Sequence, residues 1–223
     1  MLNRFARAFF TTLLTPTARF FITCGISPDV VTIVGTLGVM VGALGFYPTG
    51  QFFWGTLFIA AFVFSDLLDG NMARQLGRSS KWGAYLDSTL DRFGDAAIFG
   101  GLVLFYADRG DNILIAGLAL ACLILGSVVS YAKARAEGLG MTANVGIAER
   151  ADRLVAILAV TGLVGIGNLI SDGNAIGNWA EGITLAVLAI LSFVTVLQRM
   201  LTVRQQAFAA DRAASQQVAA STE

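Results

Sequence analysis

Four aspartates within SDLLDGNMARQLGRSSKWGAYLDSTLDRFGD, residues 65–95, have the types and spacing to do chemistry. Asp66 and Asp69 stand three residues apart, Asp87 and Asp91 four apart. Residues at those spacings share one face of a helix, so each pair points at one place. A turn between the two helices lets the pairs face each other at similar depth. Two carboxylates about 4 Å apart repel by roughly 4 kcal/mol at an effective dielectric near 20. With Arg74 and Arg92 as nearby partners, four anions do not stay charged together without a cation. Hard divalent ions, Mg²⁺ or Mn²⁺, prefer oxygen ligands and suit substrate phosphates. Two such ions between two carboxylate pairs form a template for phosphoryl transfer, and the repulsion argues against a purely structural acidic cluster. The chain contains no histidine, which leaves carboxylates to bind metal and move protons.

Other residues of the stretch suit a nucleotide diphosphate. Gly70 follows Asp69 and removes a side chain where a ligand approaches the backbone. Arg74, about one turn on, can pair with phosphate through its forked guanidinium. Gly83 opens space just before the next helix, although glycine also serves helix packing. A second constellation is basic: Lys133 and Arg135 precede the connection to Arg150 and Arg153, and Arg199 follows near the end of the last apolar run. Positive-inside bias, lipid headgroups and pairing with Glu137, Glu149 and Asp152 account for some of these charges. The rest suit an acceptor that is itself a phosphate monoester, which needs two or three cations.

The elements that must position these groups are membrane helices. Of 223 residues, 56% are hydrophobic and 13% charged, with mean hydropathy +0.71. A soluble domain carries roughly a quarter charged residues. The expected fold is an all-α membrane protein of six transmembrane helices, at about 30–47, 52–73, 84–107, 112–135, 153–169 and 178–202, each near the length that crosses a bilayer. Residues 1–22 mix arginines with Phe5, Phe9 and Leu13 on one side, the pattern of an interfacial amphipathic helix rather than a cleaved signal. Residues 23–204 then form the helical domain, and the Ala/Gln/Ser-rich stretch 205–223 is expected to be a flexible cytoplasmic tail. Lysine and arginine fall almost wholly on one side of such a bundle, with Arg109 the exception, so both termini and the acidic pairs face the cytoplasm of a cell-membrane protein. The spacing of Gly38 and Gly42 is expected to serve packing within one chain, with a dimer seam as the alternative. Cys24 and Cys122 lack metal-ligand spacing and read as apolar fillers.

Written out, the acidic stretch is D66-x-x-D69-G70-x-x-A73-R74, eight residues, then G83-x-x-x-D87-x-x-x-D91. This resembles the signature of the CDP-alcohol phosphotransferase family with every position filled, and the six-span pattern agrees over the whole chain. The resemblance implies that an acceptor hydroxyl attacks the phosphorus nearest the lipid in CDP-diacylglycerol and CMP leaves. It implies Asp66, Asp69, Asp87 and Asp91 as ligands of two ions, Mg²⁺ or alternatively Mn²⁺, with Asp91 also the general base. It implies Gly70, Ala73, Arg74 and Gly83 as the lining of the CDP site. Asp29 and Thr32, in Ser27-Pro28-Asp29-Val30-Val31-Thr32, match a looser part of the pattern as polar contacts to the cytidine end, with helix capping as the alternative. Asp95 lies outside the motif and is expected to act indirectly at most. The pieces K-A-R-A-E and E-R-x-D-R resemble the actinobacterial branch that uses inositol 1-phosphate and makes phosphatidylinositol phosphate. On that likeness Lys133, Arg135 and Arg153, with Arg150 and Arg199 less central, grip the acceptor phosphate. A homodimer among membrane lipids is implied by the resemblance alone.

Charge spacing alone does not separate inositol 1-phosphate from glycerol 3-phosphate, since both carry a phosphate and free hydroxyls. A membrane prenyltransferase also uses aspartate pairs, but on distant spans. A cation transporter places its charges near mid-membrane, often on broken helices. Neither rival fits pairs about 20 residues apart on adjacent helices beside a basic pocket, and no feature points to nucleic acid.

Overall fold

Apolar helices make up most of the described structure. The computed structural model describes residues 15–63, 68, 70–72, 75–76, 80–170 and 175–220. After a helical segment at 15–23, the elements are α1 (Pro28–Phe46), a 3-10 turn (Tyr47–Thr49), α2 (Phe52–Val63), α3 (Lys81–Ala107), α4 (Ile113–Gly138), α5 (Arg150–Ile170) and α6 (Ala175–Ala220). The starts of α1, α3 and α4 are fixed by side-chain caps. Ser27 Oγ accepts from Val30 N with Pro28 at the first helical turn, Ser80 Oγ accepts from Gly83 N, and Asn112 Oδ1 accepts from Ile115 N.

The principal helix contacts run α1–α3, α3–α4, α4–α6, α6–α5, α5–α2 and α2–α1, which closes the six helices into a ring. Its core joins Val39, Tyr47 and Phe52 to Ile98, Leu102, Tyr106, Ile157 and Leu185. Small residues bring the helices together. A Cβ on Gly101 would lie 2.7 Å from the Ala43 carbonyl oxygen, so α1 and α3 approach backbone to backbone. Gly38 and Gly42 pack against Phe62 and Phe58 of α2 in the same chain. Polar atoms inside the ring find one another: Thr161 Oγ1 donates to Glu181 Oε1 at 2.7 Å, and the Tyr47 and Thr56 hydroxyls lie 2.9 Å apart. The outer face remains apolar, with Val34, Leu37, Val41, Leu163 and Ile190 exposed, as lipid contact requires.

This is a multi-pass membrane protein. Among the described residues, four helices have the length and apolar content to cross a bilayer, those containing 28–49, 113–138, 150–170 and 177–217. The helix α3 has 27 residues but carries Asp87, Asp91, Arg92 and Asp95 among its first fifteen. The helix α2 is described over 12 residues. The residues expected as a flexible tail differ from that reading, because α6 continues through them to Ala220. A helix of 46 residues is about 69 Å long, more than twice the hydrocarbon thickness. Alanine and glutamine are good helix formers, and a helix already nucleated in the bundle extends cheaply into such sequence.

Candidate active site at the charged end of the ring

The first four turns of α3 bring Asp87, Asp91 and Asp95 into one row, each a turn beyond the last. Asp87 is exposed, Asp91 half-buried and Asp95 buried, so the row descends from solvent into the ring. The N-terminus of α5 meets it there. Arg150 donates from Nη1 to Asp91 Oδ1 at 2.8 Å and from Nε to Asp95 Oδ1 at 3.0 Å, one guanidinium bridging two carboxylates. Arg92 reaches the same two, 3.8 Å from Asp91 Oδ2 and 3.6 Å from Asp95 Oδ2, and its Nη1 bonds Ser130 Oγ of α4. Charge-assisted, forked contacts of this kind are the strong ones among side-chain bonds.

One member of each expected set therefore meets the other, Asp91 with Arg150. Arg153, one turn past Arg150, lies wholly inside the ring over Gly126 of α4, where a Cβ would stand 3.4 Å from its Nη2. Its Nη1 donates to the Ala148 carbonyl at 3.3 Å, while the buried Nη2 has no hydrogen-bond partner among the described residues. An orphaned guanidinium nitrogen at that depth suits an anion. The other expected cations divide. Arg199 is buried, donating from Nε to the Val145 carbonyl at 3.0 Å and from Nη1 to that of Val129. Lys133 is 3.9 Å from Glu137, and Arg135 is exposed in the last turn of α4.

At the corner expected to take the CDP-linked donor, Ser27 supplies the cap of α1, so Asp29 is not needed for it. Asp29 instead lies beside Gly83, its Oδ1 3.9 Å from where a Cβ on Gly83 would stand, with Ser80 Oγ at 3.1 Å from the same point. Thr32 is buried one turn along and donates to the Pro28 carbonyl at 3.1 Å. Gly70 is helical, and nothing among the described residues lies within 4 Å of the place its Cβ would take. Asp66, Asp69, Ala73 and Arg74 lie outside the described residues. Beside this corner, Phe21, Val31, Val34, Phe62 and Leu68 line an apolar groove of about 420 Å³.

Asp87 and Asp91 are carboxylates on one helix face, the ligand type a hard divalent cation takes, but among the described residues no group of three or more metal-ligating side chains is gathered, because the expected partners Asp66 and Asp69 lie outside them. Asp95 and Arg92 are the functional candidates that sequence reasoning undervalued. The available signal was the continued four-residue spacing from Asp87 through Asp91 to Asp95.

Fold and site together define a membrane transferase of CDP-activated alcohols: residues 25–164 match the CDP-alcohol phosphatidyltransferase family, and the chain belongs to it. It is 54% identical over 214 residues to the phosphatidylinositol phosphate synthase of Streptomyces avermitilis, covering 96% of this chain and 86% of that protein. It is 44% identical to the protein of the same name from Cutibacterium acnes, covering 92% and 98%. The structure of Mycobacterium tuberculosis phosphatidylinositol phosphate synthase with CDP-DAG bound superposes with a TM-score of 0.78 at 38% identity, covering 86% of this chain and 94% of that one. The same mycobacterial protein in complex with manganese and citrate gives 0.74 at 38% identity, covering 85% and 88%.

Proposed function

We propose that this enzyme transfers the phosphatidyl group of CDP-diacylglycerol to inositol 1-phosphate and releases CMP. The observation that carries the reading is the bridge from Arg150 to Asp91 and Asp95, because it joins the acidic motif to the basic set at one end of the ring. The acceptor phosphate is held by Arg153, with Lys133 and Arg135 at the rim and Arg150 and Arg199 beside it. Held there, its hydroxyl lies toward Asp91, which accepts the proton as the oxygen attacks the phosphorus nearest the lipid. The bond from that phosphorus to the CMP oxygen breaks. Asp29, Thr32, Gly70, Ala73, Arg74 and Gly83 line the CDP side. Asp66, Asp69, Asp87 and Asp91 would hold two Mg²⁺ ions, which supply neutralisation of the diphosphate charge.

The same reading takes six spans, an interfacial helix over residues 1–22, both termini and the site on the cytoplasmic face of the cell membrane, and a homodimer. Its support is the lysine and arginine asymmetry and the likeness to the synthases above. The test is CMP release by the purified full chain with CDP-diacylglycerol and, in turn, inositol 1-phosphate, free inositol and glycerol 3-phosphate. Turnover with inositol 1-phosphate alone is expected. Preference for glycerol 3-phosphate would make the enzyme a phosphatidylglycerophosphate synthase, the second reading that the charge pattern permits.

A further inference from the structure

The connection 139–149 between α4 and α5 has little regular structure of its own, yet Arg150 and Arg153 follow it directly. Its backbone polar groups must find partners elsewhere, and they find them on one face of α6. Thr195 Oγ1 accepts from Ile147 N at 3.2 Å and from Ala148 N at 3.3 Å, while donating to Leu191 O at 2.8 Å. One turn on, Arg199 Nε holds the Val145 carbonyl at 3.0 Å. Further along, Gln206 takes Thr142 N at 3.0 Å through Oε1 and gives Nε2 to the Thr142 carbonyl at 2.6 Å. Between these points Gly146 has φ +148°. Any Cβ there would collide with Thr195 Cγ2, so both its backbone angle and the space require glycine. The relay to the site is short: Ala148 gives its N–H to Thr195 and its carbonyl to Arg153 Nη1.

We propose that Thr195, with Gly146 closed against it, is a positioning latch that sets the acceptor-phosphate cations Arg150 and Arg153 in register, and so governs affinity for the phosphorylated acceptor rather than for the CDP-linked donor. The proposal deepens the functional reading above and rests on its assignment of the basic set to the acceptor. Thr195 is wholly buried, and its hydroxyl is engaged by the loop and by its own helix. It acts through the loop, whereas the donor corner is built on α1 and the start of α3.

The test uses the full-length enzyme in lipid nanodiscs and the conservative substitution Thr195→Val, which keeps the shape facing Gly146 and removes the shared hydroxyl. Steady-state CMP release is read while each substrate is varied in turn. The KM for inositol 1-phosphate is expected to rise about tenfold, the change that 1.4 kcal/mol produces, with the KM for CDP-diacylglycerol held within about twofold. Amide exchange at Ile147 and Ala148 is expected to speed up in parallel, and Thr195→Ser to restore both readouts. An unchanged acceptor KM, equal rises in both KM values, or a fall in kcat alone would overturn the latch. The acceptor reading fails separately: if the wild-type enzyme prefers another phosphorylated alcohol, the same comparison is made with that acceptor. If it uses no phosphorylated acceptor, both ideas fall.

Discussion

Replacing Asp95 with asparagine probes the joint between the acidic row and the basic set. Asp95 is buried, and its two oxygens serve Arg150 at 3.0 Å and Arg92 at 3.6 Å. Asparagine keeps the size and one accepting oxygen but removes the charge. Hydrogen bonds to a charged acceptor contribute about 1.5–3 kcal/mol and neutral ones about 0.5–1.5. Arg150 keeps a charged partner in Asp91 at 2.8 Å, so the loss is limited to the Asp95 arm. The difference is then about 1–1.5 kcal/mol, or roughly a five- to tenfold fall in kcat/KM for the acceptor. Asp95→Ala removes the arm altogether and leaves Arg92, whose buried Nε has no partner among the described residues, with still less. A larger fall is expected, together with a lower melting temperature. The assay is CMP release at saturating CDP-diacylglycerol across an acceptor series, with thermal unfolding in parallel. Wild-type kcat/KM in both variants would refute the idea that Asp95 holds Arg150 for the reaction. Loss of stability with normal kinetics would reduce Asp95 to a packing role.

Two further outcomes are expected. Asp91→Asn should lower CMP release by at least about 10²-fold, the scale of a lost general base, while the folded protein still purifies intact; near-normal turnover would remove Asp91 from that role. Chelation with EDTA should stop the reaction and added magnesium should restore it, since the carboxylate set suits hard divalent ions; activity indifferent to both would withdraw the cation assignment.

The shared face of Asp87 and Asp91 was legible in the chain because helical periodicity is local, whereas Asp66 and Asp69 lie outside the described residues. Spacings of three and four residues place side chains on one face whatever the rest of the fold does. Hydropathy made the membrane setting legible for a similar reason, since a run of apolar residues must be covered by lipid or protein along its whole length. Ser27 and Ser80 were less obvious. Capping was considered for Asp29 and Thr32, and the structure gives it to Ser27, which leaves Asp29 beside Gly83.

What the tertiary structure alone decided concerns partners far apart in sequence. Arg150 meets Asp95 across 55 positions, Arg199 meets Val129 across 70, and Gln206 meets Thr142 across 64. Closure of the ring from α1 through α3, α4, α6, α5 and α2 makes those meetings possible, and no local pattern encodes it. The sequence thus determined which helices carry charge and on which face. The packing of small residues against their neighbours decided which charges touch, because contact across a bundle depends on interhelical distance and rotation, quantities that only the assembled core sets.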